Sequence, residues 1–172
     1  MDWFLNMAQE HGLILKVANS MKNYAPKLAA GKEIPNLLSD ISDFLVNFAD
    51  KNHHGKEESA LFVILRKKKL PNSRVIDELI SEHAQAREEV KAMRFAKSNS
   101  EAAAHAVKYA ELIARHIVKE NAFFAEARRF LTPEDGAKLA EEFSQIEKAA
   151  LGEWGAINYA DSVKKIEGRA TQ

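Results

Sequence analysis

The first part of the chain carries apolar side chains at the spacing of one helix face. This stripe consists of Phe4, Met7, His11, Ile14, Ala18 and Met21. Residues three and four positions apart lie on the same side of an α-helix. The pattern predicts a helix from Trp3 to Tyr24, and we expect Pro26 and Gly31 to end it.

A second apolar stripe predicts a long helix from about Ile34 to Arg66. Pro35 suits its first turn, where a missing N–H costs nothing, and Gly55 marks a place where the helix can bend. The polar loop 67–73 separates it from a third helix. The apolar stripe of that third helix consists of Ile76, Leu79, His83, Ala86, Val90 and Met93.

Two more helices are predicted towards the end of the chain. Ser100 is the expected N-cap of the fourth helix, and Thr132 with Pro133 is the expected start of a fifth that ends near Gly152. Residues 153–166 form a shorter helix or a partly ordered tail. The stripe of the fourth helix contains Ala102, Tyr109, Leu112, His116, Glu120, Phe123 and Phe130.

Four long amphipathic helices joined by short polar loops pack most simply as an all-α, up-down-up-down four-helix bundle. We expect the fifth helix to lie against the outside of this bundle. The chain has 172 residues, of which 46% are hydrophobic, enough for one core but not for two domains of ordinary size. The predicted division is one domain over residues 1–150 and a C-terminal helix or tail over residues 151–172 that packs on the bundle.

Composition excludes several classes of function. The 25 basic and 25 acidic residues cancel, which argues against a nucleic-acid partner. No apolar run is long enough to span a membrane, and the first residues lack the features of a signal peptide, so we expect a cytoplasmic protein. The chain has no cysteine. Any chemistry must therefore come from histidines and carboxylates.

Each of the four bundle helices places a histidine on its core stripe: His11, His53, His83 and His116. A single histidine there would most simply be a core residue hydrogen-bonded to a neighbour. Four imidazoles at one level of a bundle do not have enough protein acceptors, but together they can bind a metal. The arrangement therefore predicts a metal site inside the bundle.

Two of these histidines have a carboxylate one turn later, in the pairs His53–Glu57 and His116–Glu120. Residues four apart lie above one another on a helix, so both side chains can reach one ion or two adjacent ions. A surface ion pair is the simpler interpretation of either pair alone. The repetition of the pair, with histidines on the other two helices, favours metal ligands.

Doubled residues leave the choice within the second helix open, because His53–Glu57 and His54–Glu58 have the same spacing. Aligning this segment with the one around His116 selects His53 and Glu57. His54 is then about 100° around the helix from His53, from where it can reach a second ion. Glu58 is expected to face solvent or to lie behind the ligands.

These motifs, in this order, are similar to those of the hemerythrin family, in its bacterial and archaeal HHE cation-binding branch. The matching segments are Gln9-Glu10-His11, His53-His54-Gly55-Lys56-Glu57-Glu58, Glu82-His83 with Arg87, and His116-x-x-Lys119-Glu120. The resemblance covers residues 1 to 150. It implies a hemerythrin-like bundle that holds two Fe ions with an oxo or hydroxo bridge.

The resemblance also implies a role for each ligand. Glu57 and Glu120 would bridge the irons, His11 and His53 would bind one iron, and His83 and His116 would bind the other. His54 would be a fifth histidine ligand. Nitrogen and oxygen donors without thiolate suit iron, and manganese or zinc could substitute.

Two departures from the oxygen-carrying relatives bear on function. Arg87 stands where they have a further histidine, and Glu120 stands where they have an aspartate. In iron-sensing relatives the position of His54 is a carboxylate ligand. These differences argue against reversible oxygen carriage while leaving the di-iron prediction in place.

The function expected from these features is binding of a small diatomic ligand, O₂ or NO, for sensing, storage or scavenging. The alternatives are a di-iron enzyme that reduces peroxide or NO or oxidises Fe²⁺, and a bundle without metal. Tyr109 is expected either to hydrogen-bond near the site or to pack in the core. An apolar lining for the ligand is predicted from Phe4, Ile14, Leu79 and Phe123. The pattern leaves the oligomeric state open.

Overall fold

The computed structural model describes residues 2–68, 70–153 and 155–171, and the fold is built from helices. The first is α1, Trp3–Ala29. The second, α2, occupies residues 37–67 and consists of Leu37–Asp43, the π-helical stretches Phe44–His54 and Glu57–Leu61, and Phe62–Lys67. The others are α3, Arg74–Arg94; α4, Asn99–Ala127; α5, Pro133–Leu151; and α6, Gly155–Ala170. A 3₁₀ turn, Arg128–Phe130, follows α4.

Helices α1 to α4 form the bundle, with α4 packed against both α1 and α3. Helix α5 packs against the π-helical stretches of α2, and α6 packs against α1 and the start of α2. The predicted all-α bundle with an additional C-terminal helix is confirmed, and no strand occurs in the described residues. The predicted domain boundary at residue 150 stays a prediction. None of these helices combines the length and the apolar character needed to cross a lipid bilayer.

The apolar core consists of two clusters, one on each side of a polar layer. One cluster contains Met7, Leu61, Leu79 and Phe123, and the other contains Ile14, Ala49, Ala86 and Ile117. On every bundle helix the change from one cluster to the other occurs at the predicted ligands. The polar layer is therefore enclosed by apolar packing above and below.

The predicted end of the first helix is wrong at Pro26, which lies inside α1. A proline in the last turn removes one backbone hydrogen bond, and three more residues follow before the helix ends at Ala29. Gly31 takes the left-handed conformation with φ of 77°, and its N–H donates to the carbonyl of Leu28 at 2.9 Å. This glycine is the stop signal.

Two other helix starts differ from prediction by two or three residues. Helix α2 begins after Asn36, whose φ of 61° is left-handed, so Pro35 precedes the helix and is not in its first turn. Ser98, rather than Ser100, caps α4 by accepting from a backbone N–H three residues ahead. Gly55, where a bend was predicted, keeps helical angles, φ −60° and ψ −44°, and π-helical stretches lie on both sides of it.

The predicted start of the fifth helix is confirmed as that of α5. The Thr132 hydroxyl accepts from the N–H of Asp135 at 3.2 Å, and the Asp135 carboxylate accepts from the N–H of Thr132 at 2.8 Å. Pro133 occupies the first turn. This reciprocal cap satisfies two donors that the helix end would otherwise leave unpaired.

Candidate metal centre

All seven predicted ligand residues lie at one level of the bundle, and none is more than 2% exposed. They form two groups in which the candidate ligand atoms lie within 4.8 Å of one another. The first group is His11, His53, Glu57 and Glu120, and the second is His54, His83 and His116. The side chains come from α1, α2, α3 and α4, as the stripes predicted.

The wide turns of α2 explain why both His53 and His54 face inward. The N–H of Gly55 bonds to the carbonyl of Asp50, five residues back, as in a π-helix. More residues per turn means that successive side chains are rotated by less than the ~100° of an α-helix. The two imidazoles are accordingly both buried, with ring centres 5.8 Å apart.

The two buried glutamates each reach both groups of histidines. Glu57 places Oε1 3.2 Å from Nε2 of His53 and Oε2 3.5 Å from Nε2 of His83. Glu120 places Oε2 3.0 Å from Nε2 of His11 and 3.3 Å from Nε2 of His116. Both carboxylates therefore lie between the groups, where a bridging ligand would have to be.

Several buried atoms of the site have no hydrogen-bond partner among the described residues. They are Nε2 of His54, both carboxylate oxygens of Glu57, and Oε1 of Glu120. Leaving such atoms unpaired in an apolar interior costs free energy unless something binds them. Imidazole nitrogens and carboxylate oxygens are donors that suit iron, manganese or zinc. The residues present therefore fit a divalent transition metal.

A separate set of oxygens holds the other ring nitrogen of every candidate histidine. Each Nδ1–H donates to one acceptor, which turns Nε2 towards the centre and fixes the ring. The pairs are His11 with Asn121 at 2.8 Å, His53 with Glu10 at 2.9 Å, His54 with Asp50 at 3.3 Å, His83 with Glu58 at 2.7 Å, and His116 with Glu82 at 2.9 Å.

Of these acceptors, the sequence pointed only to Glu58, which was expected either to face solvent or to lie behind the ligands. In the structure it lies behind His83. It missed the other four. A signal was present for three of them, because Glu10 and Glu82 directly precede candidate histidines and Asp50 lies four residues before His54. Asn121 follows Glu120 and has no comparable signal.

The pKa values of two adjacent histidines are shifted in opposite directions. Burial opposes a charge on His53, but Glu57 and Glu10 outweigh it and raise the pKa of His53 to about 10. Burial and the neighbouring His83 lower the pKa of His54 to about 4. Burial also works against the charge on Glu57, yet His53 holds the pKa of that carboxyl well below its usual range. Without metal, the first group therefore holds a proton on His53 at neutral pH.

Two phenylalanines cover the imidazoles. The ring of Phe124 stacks on His11 at 6.4 Å between centres, and Phe62 stacks on His83 at 6.1 Å. The predicted lining residues Ile14, Leu79 and Phe123 belong to the two apolar clusters, and Phe4 packs against one of them. Their contact with a bound ligand stays a prediction.

A cavity of about 110 Å³ lies next to His54. Tyr109, Ala86 and Val90 form part of its wall, and burial together with Asp50 raises the pKa of the Tyr109 hydroxyl. Arg87 also lines it. Its guanidinium donates to Asp50 at 2.7 Å and to Glu58 at 2.8 Å. Arg87 therefore ties together two of the carboxylates that orient histidines.

Comparison with protein families identifies most of this bundle. A family model described as the hemerythrin HHE cation binding domain matches residues 5–127. The match ends with α4, so α5 and α6 lie outside it. No curated protein and no solved structure matches the chain.

Proposed function

The chain belongs to the hemerythrin HHE cation-binding family, and from this premise we propose that it is a non-haem di-iron protein that binds O₂ or NO. Membership of the family implies that the domain binds a metal cation. The proposal adds the number of ions, their identity as iron, and the small diatomic ligand.

One observation supports two ions above all others. The buried histidines separate into two groups, and Glu57 and Glu120 lie between them. A single ion bound by one group would leave the imidazoles of the other group without a metal. Two ions give every unpaired buried atom of Glu57, Glu120 and His54 a partner.

The predicted ligands and the oxygens bonded to Nδ1 would have different roles in holding the ions. His11 and His53 would hold one ion, and His54, His83 and His116 the other, with the two glutamates shared. The oxygens bonded to Nδ1 keep each imidazole oriented before the metal arrives, which reduces the cost of ordering on binding. When bound, the irons supply open coordination positions for a diatomic ligand and electrons for its redox chemistry.

The cavity beside His54 supports a small ligand. Its volume of about 110 Å³ is ample for O₂ or NO but small for a drug-sized molecule. Its wall includes apolar side chains from α2, α3 and α4, such as Leu45, Val90 and Tyr109. An uncharged diatomic molecule needs no charged groups to attract it, so a mainly apolar route is sufficient.

Metal analysis and ligand binding test the proposal directly. Protein loaded with Fe²⁺ without oxygen should contain two irons per chain, and its visible absorption should change on adding O₂ or NO. Fewer than one tightly bound transition-metal ion per chain would overturn the proposal. Sustained consumption of peroxide or NO would instead support the enzymatic alternative.

Glu57→Gln and Glu58→Gln form a matched pair, because the two residues are adjacent on α2. Glu57 is fully buried between the groups, and losing its charge should abolish binding of at least one ion. Glu58 approaches the predicted ligands on the Nδ1 side of His83 and otherwise accepts from Arg87, so its replacement should leave the two-ion stoichiometry unchanged. Equal loss of metal in both variants would contradict a bridging role for Glu57.

A further inference from the structure

One short pattern occurs twice in the chain, once on each pair of bundle helices. Glu10-His11 on α1 goes with His53-x-x-Lys56-Glu57 on α2, and Glu82-His83 on α3 goes with His116-x-x-Lys119-Glu120 on α4. Of the ten named residues, six are the proposed ligands and two, Glu10 and Glu82, hold Nδ1 of a histidine. The two lysines, Lys56 and Lys119, have no role in the metal site proposed above.

In each copy, the lysine and the histidine of the His-x-x-Lys-Glu segment both donate to the glutamate of the Glu-His segment. Glu10 accepts from Nδ1 of His53 at 2.9 Å with one oxygen and from Nζ of Lys56 at 2.5 Å with the other. In the second copy, Glu82 accepts from Nδ1 of His116 at 2.9 Å and from Nζ of Lys119 at 2.7 Å. A carboxylate held at both oxygens has little freedom to rotate, so it fixes the imidazole that donates to it.

The two lysines differ greatly in their surroundings. Lys56 is completely buried, whereas 38% of the side chain of Lys119 is exposed. A buried ammonium must have every donor paired, and Lys56 also donates to Glu147 at 2.6 Å and reaches Asn6 at 3.4 Å. An exposed ion pair such as that of Lys119 is weakened by water and contributes little.

Glu147 belongs to α5, which lies outside the residues that the family model matches. On the same helix, Phe143 is fully buried and its ring centre lies 5.7 Å from Nζ of Lys56. Helix α5 therefore covers Lys56 and supplies one of its counter-charges. Through Glu147, Lys56 and Glu10, this helix is connected to His53 by an unbroken chain of charged contacts.

We propose that Lys56 is a positioning residue for the metal centre, acting through Glu10 on His53, and that Glu147 makes α5 part of this support. Lys119 is the weaker counterpart in the second copy. The inference rests on the proposed metal site. Residues that orient a metal ligand from behind typically change metal affinity by about 10–100-fold when removed.

Titration of the metal-free protein with Co²⁺, followed by its visible absorption and by calorimetry, tests the inference. Lys56→Met should weaken binding of one of the two ions by about 10–100-fold. The matched control Lys119→Met should weaken binding by at most about fivefold, since its ion pair is exposed. Equal effects of the two substitutions, or no effect of Lys56→Met, would overturn the inference. Failure of the wild-type protein to bind Co²⁺ would instead count against the proposed function.

A second variant, measured without metal, keeps the inference testable if Lys56→Met does not fold. Glu147 is 27% exposed, so Glu147→Gln removes the counter-charge while keeping the shape. In this variant the Nδ1 proton of His53, followed by ¹⁵N-edited NMR of the metal-free protein, should exchange with water faster than in the wild type. Exchange and Co²⁺ affinity both equal to those of the wild type would show that α5 has no part in positioning His53.

Discussion

Metal binding at neutral pH is expected to displace a proton from His53. In the metal-free protein its Nε2 lies 3.2 Å from Glu57, and its Nδ1 donates to Glu10 at 2.9 Å. These two carboxylates overcome the burial penalty and raise the pKa of His53 to about 10. A metal ion needs the neutral imidazole, so the proton on Nε2 must leave.

The cost follows from the difference between that pKa and the pH of the solution. Between pH 7 and a pKa of about 10 there are about three pH units, each worth about 1.36 kcal/mol. Displacing the proton at pH 7 therefore costs about 4 kcal/mol, and the apparent affinity should rise about tenfold for each pH unit towards 10. His11 and His116, whose pKa values are also raised, would add to the effect.

Calorimetric titration with Co²⁺ in buffers of different ionisation enthalpy counts the released protons. We expect at least one proton per protein chain at pH 7. His53→Ala should lower the count by about one. His54→Ala is the matched control, because the pKa of His54 is lowered to about 4 and its imidazole is already neutral. Absence of proton release at pH 7, with an affinity that does not change between pH 6.5 and 8.5, would refute this reasoning.

Three further outcomes are expected. The raised pKa of His53 stabilises the metal-free fold fully below about pH 6.5, and this contribution is lost as the pH rises towards about 10. The melting temperature of the metal-free protein should therefore fall between these pH values. A melting temperature that stays constant over this range would contradict the expectation. Thr132→Ala removes the cap of α5 and should lower the melting temperature by about 2–4 °C, while an unchanged value would show that the cap is dispensable. Ala86→Phe narrows the cavity beside His54, and stopped-flow absorption should show slower O₂ or NO association at unchanged iron content; unchanged rates would exclude this route.

The bundle and the level of the site could be predicted from periodicity because helix geometry determines which residues share a face. His11, His53, His83 and His116 each replace an apolar residue in a regular stripe, so their convergence follows from the packing of four such stripes. Their burial in the structure agrees with that prediction. Their role as metal ligands stays a prediction.

The details that the pattern could not provide depend on contacts between distant segments. Whether His54 faces inward depends on the wide turns of α2, and periodicity assumes a constant ~100° per residue. The partner of His53 could not be identified either, since Glu10 is 43 residues away along the chain. Pro26 misled the prediction because a proline near the end of a helix removes only one hydrogen bond.

The repeated Glu-His and His-x-x-Lys-Glu segments also bear on how the bundle tolerates so many buried polar groups without metal. Each buried glutamate lies beside a histidine that can take a proton, and each Nδ1 already has an oxygen partner. Apolar clusters pack the helices on both sides of this layer. We therefore expect protons to take the place of the metal charge, and the fold to depend on the metal less than that of a small zinc domain does. The metal-free protein should accordingly be folded, with the helical circular dichroism of the loaded form, and loss of that signal on metal removal would show that the apolar clusters alone cannot hold the bundle.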